Sequence, residues 1–471
     1  MDKVIETWNG EWWVPYIFSP NVPNSVGRLI YYEERNPELE ITVMSTANAF
    51  LWPDKKYPVI YGTDAQGNEF SLFNADLRPQ KDSSKYVFSL DYILIGAQVP
   101  TMDDTLFFKK AIVTFPHLHD LFVFRRVEQI DEDNATIYKI NNQQKISQYP
   151  IKIDNNTTWI FVSDIETSIV SEHFADIHIH QDTSFVVEST EIQSVYFFIH
   201  QIYEFSQFLS VALFSNQQPN EIVLVDENGI LRAKLLYKPK PSAEWHLRFI
   251  GDSLRNSRIS ELLKHWHTRY NEIAPISSYL IKSTEYQTEF DAPDFLIVAQ
   301  ALDGYWKRFF NKCRTEGKDI RKYNEELQQM MAYFRGVAII QNLGLDTVVA
   351  VQTRHKYTHW TPNGEEGTEL AVTDPKQLRL LTLRMKILLL CCVLDYMGMT
   401  IDTFAAYIDL IDRREGYKHE YEREDAKLEW FPADYQKWLK DEISNHKGEV
   451  LKHLFSHIEL LKETFNWETA E

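Results

Sequence analysis

A β-rich first half and an all-helical second half, in separate domains, is the architecture this 471-residue sequence predicts. Three observations lead there. Up to about residue 190, short alternating or apolar stretches recur between Asn, Asp, Pro and Gly, the signature of many short antiparallel strands in a sandwich or barrel. From about Ser253 the apolar spacing lengthens to the helical period and holds, with breaks, towards the end of the chain. The chain is also too long for one ordinary core, so two or three domains are expected.

The strand series opens with Glu11-Trp12-Trp13-Val14-Pro15. It continues through Gly27–Tyr32, Leu39–Met44, Tyr57–Gly62, Tyr86–Val99, Phe107–Phe115, Leu121–Arg126, Ala135–Ile140, Trp159–Val162 and Ile177–Val187. Glu191–Ser215 differs. Its run from Val195 to Leu209 is apolar almost all round and of helical length, which predicts a buried helix packed on the sheet. Ile222–Arg232 reads as a hairpin with Asn228-Gly229 as its tight turn, and Pro239 and Pro241 loosen the chain behind it.

Helical sequence begins at Ser260–Tyr270, is interrupted by Pro275, and meets a connection at Glu285–Pro293. Asp294–Cys313, Asp319–Leu343 and Lys376–Met397 are long helices, and Thr400–Arg414 and Pro432–Trp467 add more, together a bundle. The domain division is 1–250 for the β-rich part, 251–290 for a helical bridge and 291–471 for the bundle.

Composition narrows the function. Hydrophobic residues make up 44% and aromatics 14%, enough for a sizeable core, so global disorder is excluded. A net charge of −19 argues against coating nucleic acid non-specifically, because that affinity rests on many Lys and Arg contacts to phosphate. Any phosphate-handling site has to be a local basic pocket on an acidic body. Cys391 and Cys392 are adjacent in an apolar run and, with Cys313, read as core residues of a reducing compartment. The start of the chain has no apolar signal region, and Ile387–Leu394, the longest apolar run, is too short to span a bilayer. A cytoplasmic protein without membrane attachment is expected. No P-loop, dinucleotide fingerprint or nucleophile elbow is present.

The chemistry concentrates in Arg354-His355-Lys356-Tyr357-Thr358-His359-Trp360. Arginine is a permanent planar cation that grips phosphate bidentately, and imidazole both takes and returns a proton. On one straight helix, residues five apart point roughly 140° away from each other. Arg354 and His359 then cannot converge on one phosphate, whereas His355 and His359 share a face. Either the helix breaks so that Arg354 sits at its N-terminus, or a second copy of the chain completes the site. The polar Thr361–Thr368 loop that follows is suited to shaping a cleft.

Arg354 to His359, followed by Trp360, resembles the RNxxxH signature of HEPN ribonucleases, specifically the ApeA-like HEPN domain of prokaryotic anti-phage defence. The resemblance extends upstream to Phe295–Arg308, which looks like that domain's first helix, with Asp303 at its usual acidic position. Downstream it covers Leu378–Leu394 and Met397-Gly398-Met399-Thr400, similar to the final long helix and its glycine stop. Gly10-Glu-Trp-Trp-Val-Pro15 and Gly27-Arg-Leu-Ile30 resemble the start of the ApeA N-terminal domain. His355 departs from the family's asparagine, which leaves open whether His355 or His359 is the base.

The resemblance implies a HEPN helical bundle and an endoribonuclease that needs no metal or other cofactor. It implies Arg354 and His359 as catalytic residues and His355, Tyr357, Lys356 and Asp303 in supporting or substrate-binding roles. It further implies a homodimer through the HEPN domain, an RNA substrate such as transfer RNA, and abortive anti-phage defence. The β-rich domain would then be the sensor or regulator, with a phage protein as its trigger. Tyr357 has a packing alternative, and Asp303 a solvated one.

Lys307, Arg308, Lys312 and Arg314, with Lys356, are candidates for the local basic pocket, against the plainer reading of a solvated helix face. The alternate-residue pairs His117/His119 and His178/His180 lack a third and fourth ligand in sequence and read as polar strand faces. His265 and His267 read as structural. A rival from another class is a catalytically inactive HEPN scaffold whose β-domain binds a protein or other ligand. A third is a carbohydrate- or ligand-binding β-domain with an accessory bundle.

Overall fold

The computed structural model describes residues 3–14, 25–33, 35–43, 56–78, 85–103, 105–116, 118, 127–132, 135–140, 146–169, 177–213, 216–237, 258–282, 292–310, 322–337, 340, 344–362 and 365–398. Several expected features lie outside them: Leu121–Arg126, the His117/His119 pair, Pro239 and Pro241, the side chains of His178 and His180, Lys312, Cys313, Arg314, and the helices Thr400–Arg414 and Pro432–Trp467. The chain divides into two compact units, Met1–Ser206 with Gln218–Pro241, and Gln207–Gln217 with Ser242–Glu471.

The first unit is β-rich and closed. Strands β1 (Val4–Trp13), β2 (Ser25–Tyr32), β3 (Glu38–Val43), β4 (Lys56–Asp64), β5 (Glu69–Leu77) and β6 (Lys85–Ser89) pair antiparallel in the order β5-β4-β1-β2-β3-β6. The end of β5, Asp76-Leu77, pairs back onto β6, so the six strands form a barrel without free edges. Inward positions alternate along the strands and supply Trp12, Leu29, Leu39, Ile41, Ile60, Phe70, Leu72 and Phe88 to one core. Trp12 fits because β4 has Gly62 beneath it, where a Cβ would come within 2.1 Å of the indole ring.

The sheet continues from β5 through β7 (Tyr92–Ile95), β15 (Arg232–Tyr237), β14 (Glu221–Asp226), β8 (Phe108–Thr114), β13 (Ile177–Gln193), β12 (Thr157–Ile169) and β11 (Ile146–Lys152). Strands β9 (Val127–Glu132) and β10 (Ala135–Ile140) form a separate hairpin. Helix α1 (Val195–Leu213) packs its first half on the extension, as its apolar composition predicts. The Phe205 ring stacks 3.9 Å from Phe185, and Trp159 Nε1 donates to Gln201 Oε1 at 3.0 Å. Tyr196 and Tyr203 face outwards.

Two strand expectations change, and strand β5 is one the sequence reading does not single out. Tyr86–Val99 is two strands, β6 and β7, separated at Leu90-Asp91 and paired with different neighbours. Strand β5 escapes a period-of-two reading because Asn74 adopts φ 54°, and the Asn74/Pro58 position is skipped in a register that pairs Tyr57 with Ala75 and Val59 with Phe73. The hairpin loop is wider than a two-residue turn. Gly229 takes φ 73°, and Asp226 Oδ1 accepts from the amides of Ile230 and Leu231.

The second unit is helical. Helix α2 (Arg258–Lys282) runs unbroken through Pro275, where an interruption was expected. Proline inside a helix costs about 3 kcal/mol. Burial of Trp266, Tyr270, Ile273, Ile276 and Leu280 on one stripe offsets that cost. Helix α3 (Ala292–Tyr305) continues into a π-helical turn at Trp306–Phe310. Helix α4 spans Tyr323–Tyr333 and tightens to a 3-10 turn at Phe334–Gly336, so the expected single helix Asp319–Leu343 is corrected. Gly336 disfavours helix by roughly 1 kcal/mol, and Val337 is extended.

Helix α5 (Thr347–His359) carries Arg354 to His359, and helix α6 (Pro375–Tyr396) packs against α2, α3 and α4. Asp374 caps α6 by accepting from the Gln377 amide at 2.9 Å. Gly398 ends it at φ 94°, with no room for a Cβ, which would lie 2.4 Å from His265 Nδ1. Cys391 and Cys392 are buried in its core. No helix among the described residues is long and apolar enough to cross a membrane.

Candidate active site

Helix α5 starts cleanly. Asp346 caps it, its Oδ1 accepting from the amides of Val348 (2.8 Å) and Val349 (3.1 Å). Arg354 therefore sits in the middle of an unbroken helix, and the alternative that placed it at a helix N-terminus falls. Thr353, fully buried, donates to the Val349 carbonyl at 2.7 Å and accepts from the Val372 amide at 3.0 Å, tying the helix to the chain that returns from the polar loop. The helix stops at Trp360, a left-handed residue (φ 54°) that is 83% exposed. Its amide still bonds to the Lys356 carbonyl.

The structure brings Arg354 and Asp303 together. Arg354 Nη2 donates to Asp303 Oδ2 at 3.2 Å, and Lys307 Nζ, in the π-helical turn that follows α3, reaches Asp303 Oδ1 at 2.7 Å. The guanidinium lies 4.4 Å above the centroid of the Tyr323 ring on α4, a cation–π contact. Asp303 is only 6% exposed, so it is no solvated surface residue. Burial alone would raise its carboxyl. The Lys307 hydrogen bond and the Arg354 and Lys307 charges outweigh that and hold it below the usual carboxylate range.

Two members of this cluster do not stand out in the sequence. Tyr323 donates to the Ala299 carbonyl at 3.1 Å, and burial pushes its hydroxyl well up. Glu326 is 1% exposed and lies near enough to Asp303 for the two carboxyls to act on each other. Burial first, and the neighbouring Asp303 charge second, push it up to about 7. In sequence, Glu325-Glu326 reads as the ordinary acidic first turn of a helix. The inward position of Glu326 relative to Leu327 and Met330 is the only signal that separates the two.

His355 and His359 share a face as their spacing requires, with ring centroids 4.8 Å apart, and both are exposed. Arg354 points inwards to Asp303 instead, so one chain does not bring Arg354 and His359 onto a common phosphate. Tyr357 has its hydroxyl on the Val372 carbonyl (3.1 Å) and its ring 6.4 Å from Phe295, a packing position. Lys356 is partly exposed on the same helix. Arg308 lies over the Phe309 ring at 5.3 Å. Chemically, the unit offers a carboxylate-held arginine and two adjacent imidazoles on neighbouring sides of one helix.

Residues 7–280 match the family model of ApeA N-terminal domain 1, more than half of the chain, and residues 296–403 match that of Apea-like HEPN. The chain belongs to the ApeA family. The HEPN match contains α5 whole, together with Asp303 and Glu326. ApeA membership supports a nuclease-type role in defence, and HEPN domains commonly bind RNA and form dimers. No curated protein and no solved structure matches the chain.

Proposed function

We propose that this ApeA protein is an endoribonuclease of abortive anti-phage defence whose base, acid and charge stabiliser are all side chains. The carrying observation is Arg354, poised by Asp303 on the same helix as the His355/His359 pair. His359 takes the proton of a ribose 2′-hydroxyl, and the 2′-oxygen attacks phosphorus. Arg354 stabilises the added charge on the pentacoordinate phosphate. The bond to the 5′-oxygen breaks as that oxygen accepts a proton from a second imidazole in its protonated, imidazolium form, leaving a 2′,3′-cyclic phosphate and a 5′-hydroxyl. Because Arg354 and His359 diverge on an unbroken helix, the complete site joins two copies of α5 across a two-fold axis. The β-barrel unit restrains the nuclease until a phage protein engages it, and transfer RNA is the substrate that would halt translation.

A scaffold reading has one observation behind it: His355 stands where the family has asparagine, on a chain of net charge −19. Phage challenge of bacteria carrying wild type, Arg354→Ala or His359→Ala separates the two. The ribonuclease reading expects RNA fragmentation and protection with wild type alone. Protection that persists in both folded variants would leave the scaffold reading standing.

A further inference from the structure

Behind Arg354 lies a pair of buried carboxyls with more acid than the cations need. Asp303 already satisfies Arg354 and Lys307 through separate oxygens. Glu326 adds a second carboxyl from α4, almost fully buried, and its Oε2 has no hydrogen-bond partner among the described residues. A charged carboxylate in that position would face another carboxylate with one oxygen unsolvated, which is strongly unfavourable. A protonated one donates to Asp303 and leaves a neutral carbonyl-type oxygen behind. Burial, the unpartnered oxygen and the neighbouring carboxylate together point to two carboxyls sharing one proton.

We propose that Glu326 is a positioning residue for Arg354, and that its shared proton sets how tightly the Asp303 pair holds the guanidinium. With the proton in place, the pair carries one negative charge against the two positive charges of Arg354 and Lys307, and the cluster is net positive. Arg354 then keeps donors for an incoming phosphate beyond the one given to Asp303. When the proton leaves, two carboxylates face two cations, the cluster is neutral, and Arg354 is pulled onto the pair. The groups acting on Glu326 are Asp303 from α3, Lys307 from the π-helical turn behind it and Arg354 from α5, with Tyr323 beside it on α4. The folded protein holds this proton up to about pH 7. Anion binding thus weakens as pH rises through neutrality, which restricts the site to its protonated form.

This rests on reading Arg354 as the phosphate-gripping cation, so the test measures anion binding rather than RNA cleavage. Sulfate, whose charge is constant across the range, is titrated by NMR into the full chain at pH 6 and pH 8. Glu326→Gln keeps a donor to Asp303 but cannot ionise, and His355 and His359 contribute alike to both proteins. Wild-type affinity is expected to fall about fivefold more than that of Glu326→Gln between the two pH values, and Arg354→Ala to lose the site at both. Equal pH responses in wild type and Glu326→Gln would overturn the proposal. Should Glu326→Gln not fold, ¹³C titration of glutamate carboxyls in wild type decides it. A buried carboxyl titrating near pH 7 supports the pair, and none above pH 6 refutes it. Sulfate binding that follows this pattern in a protein that cleaves no RNA would sink the ribonuclease reading while leaving the pair intact.

Discussion

Asp303→Asn is the perturbation that best separates a poised arginine from a decorative ion pair. Asparagine keeps the shape and one acceptor but removes the charge that Arg354 and Lys307 share. Breaking a fully buried pair costs about 3–5 kcal/mol. Here the side chains of Arg354 and Lys307 retain 26% and 64% exposure, so solvent screens much of that, and Lys307 contributes little. A loss of roughly 1–2 kcal/mol remains, or about 2–8 °C in melting temperature for a unit of this size. Scanning calorimetry of the full chain reads the helical unit's transition. A double-mutant cycle with Arg354→Ala should return a coupling of about 1–2 kcal/mol. RNA cleavage by Asp303→Asn should drop about 10- to 100-fold, because the guanidinium loses its orientation while the histidines stay. Effects that add within about 0.3 kcal/mol, with cleavage at the wild-type rate, would refute the positioning argument.

Other consequences follow from the same geometry. Trp360→Gly relieves a left-handed non-glycine cap and should stabilise the protein by about 0.5–1 kcal/mol; single-stranded RNA binding, followed by fluorescence anisotropy, should weaken if the exposed indole stacks on a base, and unchanged binding would deny it that role. Mixing Arg354→Ala with His359→Ala should restore about a quarter of wild-type cleavage if sites form across a two-fold axis, since half of the random dimers then contain one intact site; no recovery after verified subunit exchange would place both residues in one chain's site. For stability against pH, Glu326 binds its proton more tightly folded than unfolded, so wild type loses stability as pH rises from about 4.5 to about 7. Denaturant titrations at pH 5 and 8 should show Glu326→Gln gaining on wild type by on the order of 2 kcal/mol at the higher pH, and parallel curves would contradict a shared proton.

Much of this architecture was legible because apolar spacing reports what each element buries. The all-round apolar run of α1 and the strand alternation around Leu29, Ile41 and Phe88 became core residues. What escaped did so for local reasons. Strand β5 hides behind Asn74, whose left-handed backbone breaks the period of two. Pro275 looks like a stop, but a stripe of buried residues on both sides carries the helix through it. At the site, Arg354, His355, His359 and Asp303 could be picked from spacing and family resemblance. Whether Arg354 sat at a helix end could not, since that depends on Asp346 capping a helix whose start lies seven residues upstream. Glu326, beyond its inward helical position, and Tyr323 say little in sequence because their meaning comes from a third helix packing beside Asp303.

The central claim is that Arg354 and His359 cleave RNA through the ribose 2′-hydroxyl. The most direct measurement is the end chemistry of RNA incubated with purified, trigger-activated wild type, Arg354→Ala and His359→Ala. The expected result is 2′,3′-cyclic phosphate and 5′-hydroxyl ends from wild type, no cut where the ribose 2′-hydroxyl at the cleavage position is replaced by hydrogen, and no cleavage above background from either variant. Fragments carrying 5′-phosphates, or cleavage that survives in both folded variants, would contradict it.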